Sequence, residues 1–136
     1  MTDKTGYTKI IIIHIEPETG VAIATCTGTL TIEDATRGVS ELWKTKHWPG
    51  KLVVWDFREA QFDISSSDTQ KIAKFILESQ PEPPPLKIAF VTGRDVDFGM
   101  ARIFEVRRQD KRTDFRVFRD YEEAINWARL VEPERT

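Results

Sequence analysis

Residues 52–57 read Leu-Val-Val-Trp-Asp-Phe, an apolar run interrupted by a single aspartate. A continuous apolar run of this length is typical of a strand that is buried on both faces of a parallel sheet. A Pro-Gly pair at 49–50 stops the segment before it, and Ser-Ser-Ser-Asp at 65–68 is a strong helix-start signal after it. The stretch therefore predicts a buried strand followed by a helix, which is the repeating unit of an α/β sheet.

Two further strands are predicted before this unit, at 7–15 and 21–29. Only five residues link them, which suits a hairpin, so we expect these two strands to be antiparallel. Isoleucines make the first strand apolar on both faces, which predicts a buried position for it. A helix follows, with Thr31 as its N-cap and Asp34 three residues later, as in a capping box.

The C-terminal half continues the alternation of strands and helices. It predicts strands at 87–92 and 115–118, a helix over 98–109, and a final helix capped by Asp120. The full order is β-β-α-β-α-β-α-β-α, and its alternation predicts parallel strands joined by right-handed crossovers. We therefore expect the α/β class, with a single mixed, mostly parallel five-stranded sheet and about four helices.

Charge and cysteine content exclude several classes of protein. The chain has 136 residues with 20 basic and 22 acidic side chains, a net charge of −2, which argues against a dedicated nucleic-acid binder. The single cysteine, Cys26, excludes an internal disulfide framework and a multi-cysteine zinc site. The longest apolar run, 10–13, is far too short for a membrane span, and the first residues lack the apolar core of a signal peptide. We expect a single cytoplasmic domain over 1–136, without an integral membrane segment or nucleic-acid partner.

Several short motifs follow one another in the order of the predicted elements. They are 27–31 (Thr-Gly-Thr-Leu-Thr) with Asp34 and Ala35, 53–58 (Val-Val-Trp-Asp-Phe-Arg) with Ser65, Ser66 and Ser67, and 89–91 (Ala-Phe-Val) with 98–102 (Phe-Gly-Met-Ala-Arg), 117–120 (Val-Phe-Arg-Asp) and 123–127 (Glu-Ala-Ile-Asn-Trp). In this order the chain resembles the SpoIIAA-like domains, which are related to STAS and SEC14 domains, from residue 7 to residue 131. It is most similar to a bacterial group of uncharacterised SpoIIAA-like proteins. The resemblance implies one sheet of successive parallel strands with helices wound around it.

The resemblance also implies a candidate modification site. Regulators of this family use a phosphorylatable serine at the start of the second helix, usually within Asp-Ser-Ser-Gly. The matching window 64–67 reads Ile-Ser-Ser-Ser, so both serines are retained while the aspartate and the glycine are replaced. Ser66 is the first phosphoacceptor candidate by position, followed by Ser65 and Ser67. The alternative is that these serines only cap the helix, because serine is a favoured N-cap residue.

Three aspartates are placed where ligands bind in open α/β sheets. Asp56 ends the predicted third strand, while Asp95 and Asp97 follow the fourth. Because ligands bind at the C-terminal ends of parallel strands, these carboxylates could meet in one crevice and act on a substrate. Aspartate is equally common in loops and caps. His14 and His47 have no neighbour at metal-ligand spacing, so no catalytic residue, metal or cofactor is assigned.

A basic segment lies near the C-terminus. Residues 102–119 contain seven basic and three acidic side chains, a net charge of +4. Arg102, Arg108 and Arg112 share a predicted helical face with Glu105 and Gln109. This face is either solvated with internal ion pairs, or a docking site for an acidic protein partner or for anionic lipid headgroups. Arg102 could alternatively hold the carboxylate of Asp56.

These observations favour a non-enzymatic regulatory domain that works by binding another protein. The alternative is a carrier of a small apolar or lipid-like ligand held between helices and sheet, and a third is a small enzyme that uses the three aspartates. An apolar cavity would favour the carrier, and converging aspartates would favour the enzyme. Trp48, with Phe98 and Met100, could line an apolar groove or a contact within a homo-oligomer.

Overall fold

A computed structural model describes residues 10–108 and 110–130, and the predicted order of elements is confirmed there. The elements are β1 (Ile10–Ile15), β2 (Ala22–Leu30), α1 (Ile32–Trp43), β3 (Leu52–Phe62), α2 (Ser66–Ser79), β4 (Lys87–Thr92), α3 (Asp95–Arg107), β5 (Asp114–Phe118) and α4 (Tyr121–Arg129). Residues 7–9 of the predicted first strand, Gln109 of the predicted third helix and residue 131 lie outside the described residues. Within these residues, no helix is both long and apolar enough to cross a membrane.

The five strands form one sheet in the order β1-β2-β3-β4-β5. β1 is antiparallel to β2, and every other neighbouring pair is parallel. β3 and β4 run in register, with Val53 opposite Ile88 and Phe57 opposite Thr92. The predicted α/β class, with a mixed and mostly parallel sheet, is therefore confirmed.

The predicted buried position of β1 is wrong, because this strand forms an edge of the sheet. Its hydrogen-bond partner in the sheet is β2 alone. Ile11, Ile13 and Ile15 pack on the core, while Ile10 and Ile12 remain 41% and 59% exposed on the opposite face. An isoleucine-rich run is therefore compatible with a strand that is covered on one face only.

β3 is longer than predicted. It continues past Phe57 to Phe62, and its second half pairs with β2 after a register shift between Thr25 and Thr27. A shift of this kind is a β-bulge, which adds twist and lets two strands of unequal path length stay paired. The extension places Asp56 inside the strand rather than at its end, so this part of the prediction is wrong.

Helices cover the two faces of the sheet unequally. We call the side covered by α1, α2 and α3 the three-helix face, and its buried strand residues include Ala24, Cys26 and Trp55. The opposite side, the α4 face, is covered by α4 alone among the described elements, with Val54 and Val91 among its buried residues. The two faces therefore differ in the number of helices that cover them among the described residues.

Helix starts follow the sequence in three cases and differ from it in the fourth. Asp120 caps α4 by accepting the N–H of Glu123. Thr31 and Ser65 each cap a helix and form complete capping boxes with Asp34 and Asp68. α3 begins at Asp95 instead of 98 and ends at Arg107 instead of 109. Asp95 and Asp97 lie in its first turn, where negative charge is favoured by the positive end of the helix dipole. The residues directly before 98 therefore belong to the helix and not to a loop.

Candidate functional site

An apolar cavity lies on the three-helix face, between the helices and the sheet. Its volume is about 120 Å³. Each covering helix contributes to its lining, with Leu42 from α1, Ile72 and Ala73 from α2, and Ala101 and Phe104 from α3. An apolar cavity of about 150 Å³ in another protein stays dry and binds benzene, so this space suits a small apolar molecule.

Aromatic rings and small residues both line this cavity. Phe90 contacts Phe57, Phe104 and Phe115 with ring centroids 5.1, 5.5 and 4.7 Å apart. Edge-to-face and stacked rings are favoured geometries, so the cluster is held in place. On the helical side the lining includes small residues such as Gly38, whose place could not take a Cβ without meeting Ile11 at 2.9 Å. The absent side chain of Gly38 therefore leaves room for Ile11 at this position.

A network of charged and polar side chains lies along one part of the cavity lining. Arg112 donates hydrogen bonds to Asp110 from its backbone N–H at 2.9 Å and from Nη2 at 2.8 Å, and it also pairs with Glu82. Gln80 donates to the same aspartate at 2.8 Å. The Arg112 guanidinium holds the pKa of Asp110 well below its ordinary value. The negative charge of Asp110 is thus already compensated within the protein.

Arg108 lines the same part of the cavity and is the C-cap residue of α3. Its Nη1 donates to the backbone carbonyl oxygens of Asp110 and Thr113, at 3.1 and 3.2 Å. The guanidinium also lies over the ring of Phe115, with 5.9 Å to the centroid. Its Nε atom is buried and has no hydrogen-bond partner among the described residues. Sequence reasoning predicted an exposed Arg108 and missed this position, because the early end of α3 turns the side chain back onto the core.

The three serine candidates lie together at the N-terminus of α2. Ser65 accepts the Asp68 N–H in the capping box, and its hydroxyl is 3.0 Å from that of Ser67. Ser66 Oγ accepts a hydrogen bond from Arg107 Nη2 at 3.2 Å, across from α3. Hydrogen bonding to Ser65 also lowers the pKa of Asp68. A fixed cation therefore lies beside Ser66, which sequence reasoning did not foresee.

Asp56 is bound by a neighbour on its own strand. Arg58 donates from Nε and Nη2 to the two carboxylate oxygens, both at 2.9 Å, and its guanidinium lies 4.2 Å from the centroid of Tyr121. Residues two apart on a strand share a face, so this pairing could have been predicted. The expectation that Arg102 holds Asp56 is wrong, because Arg102 pairs with Glu105 at 3.3 Å.

The other two aspartates have their own arginines. Asp97 is buried, pairs with Arg94 at 2.9 Å and accepts the backbone N–H of Phe62 at 3.2 Å. Asp95 pairs with Arg119 at 2.7 Å. Between residues 10 and 130, apart from residue 109, no three His, Cys, Asp or Glu side chains group as a metal site would require. Each aspartate is thus bound to a separate arginine, and no common crevice is formed.

The predicted basic face does not extend beyond α3. The helix ends at Arg107, so Arg108 turns inward and Arg112 lies in the following loop. Arg102 remains exposed on the helix. The docking role of Arg102, Arg108 and Arg112 stays a prediction, but their placement on one helical face is wrong.

The predicted apolar groove is divided among separate contacts. Trp48 stacks on Trp43 with centroids 5.9 Å apart and donates to the Leu52 carbonyl at 3.2 Å. Met100 lines the cavity instead. Phe98 lies beneath the guanidinium of Arg119. Trp48 therefore fixes the end of α1 to the start of β3.

Comparison with solved structures identifies the fold. The chain is similar to an uncharacterized protein of the DUF3478 family with a SpoIIAA-like fold from Shewanella loihica, with a TM-score of 0.61 and 18% identity over 90% of this chain and 96% of that one. It is also similar to the anti-sigma factor antagonist SpoIIAA in its unphosphorylated form, with a TM-score of 0.54 and 14% identity over 90% of this chain and 100% of that one. No protein-family model and no curated protein matches the sequence. The protein has the SpoIIAA-like fold, as the sequence motifs predicted.

Proposed function

We propose that this protein is a non-enzymatic binding domain that holds a small apolar ligand in the cavity of the three-helix face. The cavity itself carries the proposal. Side chains that line an empty apolar space of about 120 Å³ lack van der Waals partners on that side. A bound apolar molecule recovers the lost contacts, so ligand and fold stabilise each other.

Two measurements test this function. Protein purified from its native host is denatured and extracted with organic solvent, and mass spectrometry identifies any small molecule released. Separately, benzene is added to the purified protein and the melting temperature is followed. We expect a small apolar compound in the extract and a rise in melting temperature with benzene, because benzene binds the folded state only.

A matched pair of variants localises the ligand. Ala73→Leu fills the cavity from α2, whereas Ala128→Leu adds the same atoms on the α4 face. We expect Ala73→Leu to remove both the extracted compound and the response to benzene, while folded Ala128→Leu keeps them. Wild-type protein that yields no compound and does not respond to benzene would contradict the proposal.

A second candidate function is a regulatory protein-docking module switched at Ser66. Its support is the hydrogen bond from Arg107 to Ser66, together with the fold shared with an anti-sigma factor antagonist. A phosphate on Ser66 would carry about −1.5 to −2 charges, and both Arg107 and the helix N-terminus would favour it. Such a phosphate would change the charge of the surface where α2 and α3 meet.

Intact-mass analysis of protein from the native host tests this second candidate. We expect a fraction of wild-type protein to carry one added phosphate. Ser66→Ala should lose it, while the neighbouring control Ser67→Ala should retain it. Unmodified protein under every growth condition, or a phosphate that persists in Ser66→Ala, argues against Ser66 as the switch.

A further inference from the structure

The cavity comes close to the protein surface at the end of α2. Leu77 is the most exposed of the residues that line the cavity, with 41% of its surface open to solvent. Gln80, the C-cap residue of α2, and Asp110, in the loop between α3 and β5, also line the cavity. The lining therefore reaches solvent where the end of α2 faces this loop.

A chain of polar contacts leads from the cavity lining to solvent at this place. Gln80 Nε2 donates to Asp110 Oδ2 at 2.8 Å, which joins α2 to the loop. The Asp110 side chain is 13% exposed, whereas Arg112, which binds it, is 56% exposed. Glu82, which binds Arg112 in turn, is 71% exposed. The wall between cavity and water consists here of side chains that solvent already reaches.

Side-chain contacts hold the end of α2 on two sides. Toward α1, Trp43 Nε1 donates to Ser79 Oγ at 3.1 Å, and Ser79 is not among the lining residues, so this contact anchors the helix without bordering the cavity. On the other side, Arg112 Nη2 donates to Glu82 Oε2 at 3.2 Å. Solvent weakens ion pairs between exposed side chains, whereas the rings around Phe90 are held by packing. The contact with the loop is therefore the easier one to open.

Resting on the proposed function, we infer that the contact between Gln80 and Asp110 is the gate through which the apolar ligand enters and leaves the cavity. The gate is closed in the structure, with Leu77 beside it as the exposed edge of the cavity. Opening breaks the hydrogen bond and separates the end of α2 from the loop, while the sheet stays folded. Arg112 is a positioning residue, because it holds Asp110 in the closed arrangement.

Exchange of fluorobenzene, followed by fluorine NMR, tests the gate. Arg112→Met removes the ion pairs that hold Asp110, and Gln80→Met removes the hydrogen bond but keeps a side chain of similar length. Since hydrogen bonds to charged groups contribute about 1.4 kcal/mol or more, we expect each variant to raise the association and dissociation rates together by about tenfold. The dissociation constant of Arg112→Met should stay nearly unchanged, because Arg112 does not line the cavity.

Two control variants separate the gate from other causes of faster exchange. Arg119→Met removes an exposed ion pair with Asp95 that is not part of the cavity lining. Ile125→Ala weakens the α4 face, whose buried cluster does not include the gate. Both controls should keep exchange rates close to those of wild type. Acceleration in Ile125→Ala equal to that in Arg112→Met would mean that the ligand escapes by general unfolding, which overturns the gate.

Salt provides a measurement on the wild type. Dissolved ions screen exposed pairs such as that of Arg112 with Glu82, so the dissociation rate of fluorobenzene should rise from low to high salt. The dissociation rate of Arg112→Met should respond much less, because the pair is already absent. A wild-type dissociation rate that does not depend on salt overturns the gate, and this measurement decides if a variant does not fold.

The outcomes separate this inference from the proposed function. Unchanged exchange rates in folded Arg112→Met or folded Gln80→Met overturn the gate, while bound fluorobenzene still upholds the cavity. Absence of fluorobenzene binding by wild-type protein overturns the cavity and the gate together.

Discussion

The two faces of the sheet differ in how they fill their cores. On the α4 face, Ala89, Ala124 and Ala128 are fully buried and let α4 approach the strands closely. On the three-helix face, large rings such as Phe57 and Phe90 meet three separate helices, and a cavity of about 120 Å³ remains. The α4 face thus shows the dense packing usual in protein interiors, whereas the three-helix face contains a void larger than a water molecule.

This difference assigns separate tasks to the two faces. The α4 face stabilises the sheet through buried side chains, and the three-helix face contains the space in which we propose that a ligand binds. The same type of substitution is therefore expected to change the free energy of unfolding by different amounts on the two faces.

The largest contrast is expected for truncation of a core isoleucine. Ile125 is 2% exposed on the α4 face, so Ile125→Ala should lower the free energy of unfolding by about 2–5 kcal/mol. Ile76 lines the existing cavity and is only partly buried. Ile76→Ala should therefore lower the free energy of unfolding clearly less than Ile125→Ala does. Urea unfolding of both variants measures the difference. Equal losses would show that the two faces are packed alike.

Enlargement of an alanine should reverse the order of the two faces. Ala128→Leu adds atoms to a filled core and is expected to cost about 1–3 kcal/mol. Ala73→Leu adds them to the cavity and should leave stability unchanged or increase it. Thermal melts without added ligand measure both effects, and a large loss in Ala73→Leu would speak against an open cavity.

The helix caps give a smaller contrast. Ser65 forms a reciprocal capping box at α2, whereas Asp120 accepts only the Glu123 N–H at α4. Ser65→Ala should therefore lower the free energy of unfolding by about 1 kcal/mol. Asp120→Ala should lower it by less, and both losses should lie within the usual range of about 0.5–2 kcal/mol for an N-cap. Chemical unfolding compares them, with Ser67→Ala as a control for the loss of a hydroxyl. A cost for Asp120→Ala that exceeds that of Ser65→Ala would reverse the expected order.

The smallest effect concerns an ion pair beside α4. Hydrogen bonding from Arg129 lowers the pKa of Glu16 below its ordinary value of 4.5. Because the folded-state pKa is the lower one, the pair stabilises the protein above about pH 4.5 and this contribution is lost as the pH falls through the folded-state pKa. Arg129→Met should lower the free energy of unfolding only slightly at neutral pH, because solvent screens an exposed ion pair.

Urea unfolding at several pH values checks this dependence. The difference in free energy of unfolding between wild type and Arg129→Met should become smaller as the pH is lowered. Glu16→Gln serves as the control, since it removes the titrating group and should abolish that pH dependence. If the difference in free energy of unfolding stays constant down to acidic pH, Arg129 stabilises the protein through packing and not through its ion pair with Glu16.

Much of the fold could be predicted because its signals are local. The capping boxes at Thr31 and Ser65, and the continuous apolar run of β3, depend on residues close in sequence. The burial of β1 could not be predicted, because it depends on which elements cover each face. The same isoleucines are compatible with an edge strand and with a central one.

The candidate site depended on distant contacts, and sequence reasoning found little of it. The inward position of the Arg108 side chain depends on the end of α3 at Arg107, one residue earlier in the chain. The cavity follows from how three helices meet the rings of Phe90 and its neighbours. By contrast, the pair of Asp56 and Arg58 was present in the spacing of a strand and was overlooked.

Strands that are neighbours in the sheet are also consecutive in the chain, in the order β1 to β5. During translation, each strand that leaves the ribosome finds the preceding strand already made, so the sheet can grow in the direction of synthesis. α4 leaves the ribosome after β5, and until it docks, Val54 and Val91 stay open to water. A nascent chain of this protein therefore exposes one core face until α4 emerges and docks.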